Sequence, residues 1–513
     1  MRALLRPALL TLLSATTVVA TLASAAQPPA TVDLSAPAAG SDLPDLGSPS
    51  AALLSRTDEY RLGAMVAHQL REQNGLLEDP EVNEYVESLG LRLASQSPDG
   101  GAGFQYLVVK DPEINSFAVS GGWVFMYTGL ILATRSESEL AAVMAHETAH
   151  ITQHHIARAL RAQSQQSLTT AAALIAAILL GSLGGGGQAT EGAIVAAQGL
   201  AVQQQINFTR DEEMEADRVG IRYLAGANFD TNAMASMFET FSRGEGLAAT
   251  YIPAILSNHP VTSDRIAEAR ARAAQFPPRK GHDSQSYELV RERVRVLTAT
   301  GDVDIAKQYA RKIAHGEADL GNRYGEALAL MVGNHPDEAA GIFAQLVRQH
   351  EGLTLLHVAL GQAEAKAGRM SDALATFQHA EELFPRNVPV TVRYAETLMA
   401  AGKPGEAHTM LLDLFNNVPP TPDQIRLTAL AASAAGDPGD AYFYMGEYQI
   451  AGGDLALAVQ QLHLALAAPN ISQIQRQRYQ ARLDEVRDYL ASLRKPRLTD
   501  SGAGQDQHPG RGR

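Results

Sequence analysis

Two histidines four residues apart, His146 and His150, bracket Glu147 in the pattern His-Glu-x-x-His within an uninterrupted helical stretch. An α-helix turns about 100° and rises about 1.5 Å per residue, so both imidazoles stand on one face, one turn apart. That spacing suits two ligands of one tetrahedral metal ion. Bound Zn2+ lowers the pKa of water to about 7, and a neighbouring carboxylate can complete the deprotonation. With Glu147 as that carboxylate, the segment reads as a zinc hydrolase site holding one ion per chain. His154 and His155 follow closely, but a further ligand from one straight helix lies too far along the axis to close a tetrahedron. Both therefore read as polar positions or as a rim to the site.

A catalytic zinc takes three protein ligands and keeps one position open. The acidic run from Asp211 to Asp217 offers carboxylates. Within it Glu213 and Asp217 stand four apart, which puts one at the metal and the other a turn away, able to accept a hydrogen bond from a ligand imidazole. The same run also fits a solvated acidic helix start, favourable to the helix dipole.

These groups need a rigid support. Ser136 followed by Glu139 marks a helix start just before Leu140, where the metal-binding pattern begins. Upstream, 104–109 and 123–127 are β-branched and aromatic and predict two strands, with Asn115 to Gly122 looping between them. From Glu59 to about Ala94 the pattern is helical and amphipathic, and a turn-rich break from Ser95 to Gly103 follows. The predicted active-site helix is thus anchored on a small sheet. Apolar helices at 171–180 and 194–202 flank a glycine-rich tip and are too short to cross a bilayer. They predict a hairpin packed near the site, with peripheral membrane contact through 171–202 as the alternative.

From Tyr287 to Leu493 the pattern is helical throughout and repeats. Leu360, Gly361, Gly368, Ala373, Phe377, Ala380 and Pro385 have tetratricopeptide spacing, and Gly402, Ala407 and Pro419 follow 34 residues on. Ala339 and Phe343 precede by the same interval; Gly453, Ala458, Leu462 and Ala465 fit another copy, and Gly301 and Ala306 a degenerate first one. Small residues let paired helices approach, and the concave surface of such an array is a binding feature.

Arg2 and Arg6, the apolar run 8–20 and Ala23-Ser24-Ala25 predict an export signal at 1–25 cleaved near Ala25, followed by a flexible leader at 26–54. The formal charge is −14, and without 1–25, which holds two arginines and no acids, −16; nucleic acid is excluded as a natural partner. Cysteine is absent, so zinc ligands must offer nitrogen or oxygen. A zinc-site domain at 55–280, repeats at 287–493 and a disordered tail at 495–513 complete the expected organisation.

His146, Glu147, His150, Glu213 and Asp217 together resemble the His-Glu-x-x-His and Glu-x-x-x-Asp elements of membrane and periplasmic zinc peptidases of the HtpX and CAAX prenyl protease type. Asn115-Ser116-Phe117-Ala118 with Gly121-Gly122 resembles the family's segment before the active-site helix, with serine replacing alanine at 116. Asn258-His259-Pro260 with Arg265 resembles a further family element.

The resemblance spans roughly 55–490 and is nearest to members that add C-terminal tetratricopeptide repeats. It implies an α+β, zincin-like gluzincin domain, mostly helical with a small sheet, followed by an all-α repeat solenoid. It also implies a periplasmic endopeptidase that acts on misfolded or stalled proteins in outer-membrane β-barrel quality control. His146, His150 and Glu213 would hold zinc, Glu147 would serve as general base and then acid, and Asp217 would orient a ligand. A substrate would lie along the strand after Val119. Pro260 keeps His259 out of a regular helix, where it would either stabilise the oxyanion or fill the open zinc position and silence the enzyme. Arg265 would anchor a carboxylate or the oxyanion. The repeats would recruit unfolded clients or the barrel assembly machinery. Two rivals are a chaperone or adaptor with a silent site and an amidase acting on cell-wall peptides.

Overall fold

The computed structural model describes residues 56–98, 100–158, 209–243, 253–279, 283–300 and 304–494. The expected export signal, leader, apolar hairpin and tail, and Gly301, lie outside the described residues.

The amphipathic helical stretch forms two helices, α1 (Arg56–Glu72) and α2 (Pro80–Ala94). Asn74 takes a left-handed φ of 54° between them, and Leu76 bridges to Val109. Asp79 then starts α2 by accepting a hydrogen bond from the Val82 N–H, with Pro80 in the first turn, where its missing donor costs nothing.

Strands β1 (Gln105–Val109), β2 (Ser116–Val119) and β3 (Trp123–Tyr127) form one sheet in the order β1-β3-β2. β1 is parallel and β2 antiparallel to β3. Part of the expected loop at 115–122 is therefore strand β2. Ser120-Gly121-Gly122 turns the chain with φ of 87° and 96° at the two glycines, and Phe117 stacks on its partner Phe125 at 4.6 Å. A second correction follows from the order. The strand after Val119 is central, and ladders on both sides exclude a substrate chain from pairing there.

After α3 (Thr128–Ala133) comes α4 (Glu137–Thr152), which carries the His-Glu-x-x-His pattern. Ser136 caps it by accepting from the Glu139 N–H. Every residue from Glu137 to His150 is buried. Ala141, Ala142, Ala145 and Ala149 let neighbours approach closely, and Gly220 of α5 (Arg210–Gly226) fits against the Ala145 backbone. The helices α6 (Ala233–Arg243), α7 (Ala254–Asn258) and α8 (Ser263–Ala273) complete this part.

The helical array comprises α9 (Gln285–Leu297), α10 (Ile305–Ala314), α11 (Leu320–Val332), α12 (Pro336–Gln349), α13 (Thr354–Lys366), α14 (Met370–Leu383), α15 (Val388–Ala400), α16 (Pro404–Phe415), α17 (Pro422–Ala434), α18 (Pro438–Ala451), α19 (Leu455–Ala467) and α20 (Gln473–Arg494). Asn334, Gly368, Gly402 and Gly436 have left-handed φ at intervals of 34 residues, each in the turn between paired helices. Ala339, Ala373 and Ala407 are buried at the same interval.

Helix α9 belongs to both cores. Tyr287, Val290 and Val294 pack into the first, whereas Leu289 and Val296 pack with the array. The array also returns to α2. Arg293 grips Asp79 through two 2.7 Å hydrogen bonds, and Arg393 of α15 reaches Glu81 at 2.9 Å and Asp79 at 3.1 Å.

Candidate metal centre

Helix α4 presents His146 and His150 from one face with their Nε2 atoms 3.0 Å apart. Helix α5 crosses it and brings Glu213 to 3.5 Å from each ring. The turn after α7 supplies His259, whose Nδ1 stands 2.8 Å from Glu213 Oε1 and 3.3 Å from His146 Nε2. One donor atom from each of these four buried residues lies within 4.8 Å of all the others. Three imidazoles and a carboxylate converging so closely leave lone pairs facing one another unless a cation or protons intervene. This nitrogen and oxygen set fits a divalent ion of the zinc type, and Glu147 Oε2 is buried beside it without a hydrogen-bond partner.

Glu147 lies one residue beyond His146 on α4. Its Oε1 accepts a 2.7 Å hydrogen bond from the Ser116 hydroxyl on β2 and stands 3.6 Å from His259 Nε2. Tyr106 on β1 and Thr148 share a second sheet-to-helix hydrogen bond of 2.8 Å.

Asp217, one turn along α5 from Glu213, lies 3.0 Å from His146 Nδ1, the ring nitrogen facing away from the cluster. Arg265 of α8 is buried and donates through Nε and Nη2 to Asp217 at 2.8 Å each, and its Nη1 stands 2.7 Å from Glu213. The guanidinium also lies over Phe238 of α6. It binds two carboxylates of its own chain. Burial opposes their charge, yet Arg265 and His146 hold the Asp217 carboxyl below its ordinary range, and His259 and His146 do the same for Glu213. Burial also opposes the His146 cation, but Asp217 and Glu213 carry that ring up to about 9 in the metal-free protein. Burial and the His146 charge keep His150 well below its usual value.

Two contributors escaped the sequence reading. Ser116 sits in a segment read as loop, so its contact with Glu147 needs the pairing of β2 with β3. His155 was read as a polar or rim residue, yet it is fully buried, with Nδ1 2.9 Å from His150 Nδ1 and Nε2 3.2 Å from Glu215. Burial lowers its pKa, against the opposing pull of the hydrogen bond to Glu215. The cause is His154, whose φ of 54° ends the straight helix and folds His155 back under the site.

Residues 80–273 match the family model Peptidase family M48, and 364–432 match the Tetratricopeptide repeat model. The chain is 30% identical over 448 residues to the β-barrel assembly-enhancing protease of Escherichia coli K12, covering 87% of this chain and 91% of that one. Its Vibrio cholerae counterpart is 33% identical over 448 residues, 87% of this chain and 92% of the relative. The mitochondrial metalloendopeptidase OMA1 of Schizosaccharomyces pombe is 31% identical over 182 residues, 36% of this chain and 50% of that protein.

Proposed function

The chain belongs to peptidase family M48, with the β-barrel assembly-enhancing proteases as relatives along most of its length, and from that membership we propose an exported, periplasmic zinc endopeptidase acting on misfolded or stalled outer-membrane barrel proteins. A peptidase domain at 55–280 performs the hydrolysis, and the repeats at 287–493 recruit unfolded clients or the assembly machinery, raising the local concentration of substrate. The observation that carries this reading is the convergence of His146, His150 and Glu213 beside Glu147.

His146, His150 and Glu213 are the ligands. A divalent ion held there would polarise a water and the scissile carbonyl. Glu147 takes the proton of the attacking water and delivers it to the departing amine, completing hydrolysis of the peptide bond without net proton change at the residue. Ser116 holds the Glu147 carboxylate in place. Asp217 accepts from His146 Nδ1, which leaves Nε2 bare for coordination. Arg265 steadies Asp217 and Glu213.

The second reading, a client-binding protein with a mostly silent protease site, draws support from His259. Its ring lies inside the ligand cluster, against Glu213 and His146. With an ion bound, the ring would take the position a water needs, and in this reading His259 would have to withdraw before hydrolysis.

Zinc content and cleavage of an unfolded barrel protein, measured for wild type, Glu147→Gln and His259→Ala, test both parts. Stoichiometric zinc with cleavage lost in Glu147→Gln and increased in His259→Ala is expected. A wild type without zinc sinks the hydrolytic assignment, and unchanged cleavage in His259→Ala sinks the closed site.

A further inference from the structure

We infer that His155 and Glu215 form a relay that fixes the ring tautomer of His150 and so makes it a competent metal ligand; His155 is a positioning residue. This rests on the proposed metal-ligand role of His150.

A neutral imidazole carries one proton, so one nitrogen donates and the other accepts. His150 Nε2 faces the cluster, 3.0 Å from His146 Nε2 and 3.5 Å from Glu213 Oε1. To bind an ion there, Nε2 must be bare and the proton must sit on Nδ1. That atom meets His155 Nδ1 at 2.9 Å. Two outcomes are open to such a nitrogen pair, because either ring can donate. If His155 donated, His150 would accept at Nδ1 and carry its proton on Nε2, pointing into the ligand cluster and blocking coordination.

Glu215 breaks the tie. Its Oε2 lies 3.2 Å from His155 Nε2 and can only accept when ionised. A bare His155 Nε2 would face that carboxylate lone pair to lone pair. The proton therefore stays on His155 Nε2, Nδ1 is bare, and the donors run in one direction: His150 Nδ1–H to His155 Nδ1, then His155 Nε2–H to Glu215. Arg158 Nη2 holds the same Glu215 oxygen at 2.8 Å and keeps the end of the relay charged.

The arrangement parallels the other histidine ligand. Asp217 meets His146 Nδ1 directly, whereas Glu215 meets His150 through an intervening ring. Helix α5 thus supplies Glu213 to the cluster and, two and four residues further on, Glu215 and Asp217, the carboxylates that orient the two imidazoles. The bend at His154 is what lets the segment just after α4 contribute the intervening ring.

Such outer partners typically contribute 10- to 100-fold to metal affinity. The test is a zinc titration of the metal-free full chain against a chromogenic chelator, with urea unfolding of each metal-free variant alongside. His155→Leu is expected to weaken zinc binding by roughly 10- to 100-fold. His155→Gln keeps an acceptor and a donor and should stay within about threefold of wild type, while Glu215→Ala, at a partly exposed position that tolerates truncation, should lose about tenfold. If His155→Leu unfolds when metal-free, the Gln and Glu215→Ala variants carry the test. Affinity within about threefold of wild type in Glu215→Ala, or a His155→Gln variant as weak as His155→Leu, overturns the relay. A wild-type chain that takes up no zinc overturns the metal-ligand reading instead, so the two failures are distinguishable.

Discussion

Ser116 on the strand β2 donates a 2.7 Å hydrogen bond to Oε1 of Glu147 on the helix α4, joining the sheet to the carboxylate placed to handle the proton. The other Glu147 oxygen is buried without a hydrogen-bond partner. Ser116→Ala removes an orienting contact but leaves the carboxylate and the ligand set intact. Cleavage should fall by about tenfold, the size of one such hydrogen bond, with zinc content unchanged. Steady-state cleavage of an unfolded protein, set beside metal analysis, measures this; a loss as deep as that of Glu147→Gln would show that the serine does more than orient.

Arg265 is the cation that keeps two buried carboxylates compatible with the fold. Removing it in Arg265→Ala leaves Asp217 and Glu213 facing each other's charge with only histidines nearby, a change of the kind that costs about 3–5 kcal/mol. Arg265→Lys is expected to rescue little, because an ammonium cannot reproduce the paired Nε and Nη2 contacts with Asp217. Urea unfolding with and without zinc provides the measurement. The deficit should shrink when zinc is present, since a second cation then faces Glu213; an equal deficit in both conditions contradicts the electrostatic account.

The metal-free protein should lose stability on the alkaline side. Against the cost of burial, Asp217 and Glu213 lift His146 from 6.5 to about 9. A raised folded-state pKa gives stability that is complete below pH 6.5 and is lost as pH rises towards about 9, because there the unfolded chain has already released the proton. His150, held well below 6.5 by burial and the His146 charge, works in the opposite sense and removes stability as pH falls below that value. Urea midpoints of chelator-treated protein should therefore peak near pH 6.5 and decline towards pH 9. Saturating zinc should flatten the alkaline limb, since the ion takes the place of the proton; a flat limb without metal would remove His146 as its source.

What the sequence made legible was local or periodic. His146 and His150 lie one turn apart on a single helix, and Glu213 and Asp217 are paired in the same way, so helical geometry alone sets each pair on a face. The repeat interval shows itself because the left-handed turns at Gly368, Gly402 and Gly436 favour glycine. The contribution of β2 was hidden because Asn115 to Gly122 is short and polar at its start, and strand character there comes from pairing with β3. His155 was hidden by a single backbone angle at His154, which no side-chain pattern announces. The ionic cluster of Asp79 with Arg293 joins residues 214 apart, and no spacing rule reaches that far.

Glycines within the array offer a test of its packing in which one substitution stabilises at one position and gains nothing at another. In α13 a Cβ on Gly361 would come within 2.6 Å of the Phe377 ring, which is fully buried and stacked on Tyr394. In α12 a Cβ on Gly341 would meet nothing within 4 Å. Alanine is the better helix former by about 1 kcal/mol at either site. At Gly341 that preference acts alone, and Gly341→Ala should stabilise by roughly that amount. At Gly361 it competes with displacement of a packed ring, which costs about 1–3 kcal/mol, so Gly361→Ala should destabilise or, at best, break even. Urea unfolding of the full chain, followed by helical circular dichroism, compares the two. A stabilised Gly361→Ala would mean that α13 and α14 are not packed closely enough for glycine to be required between them.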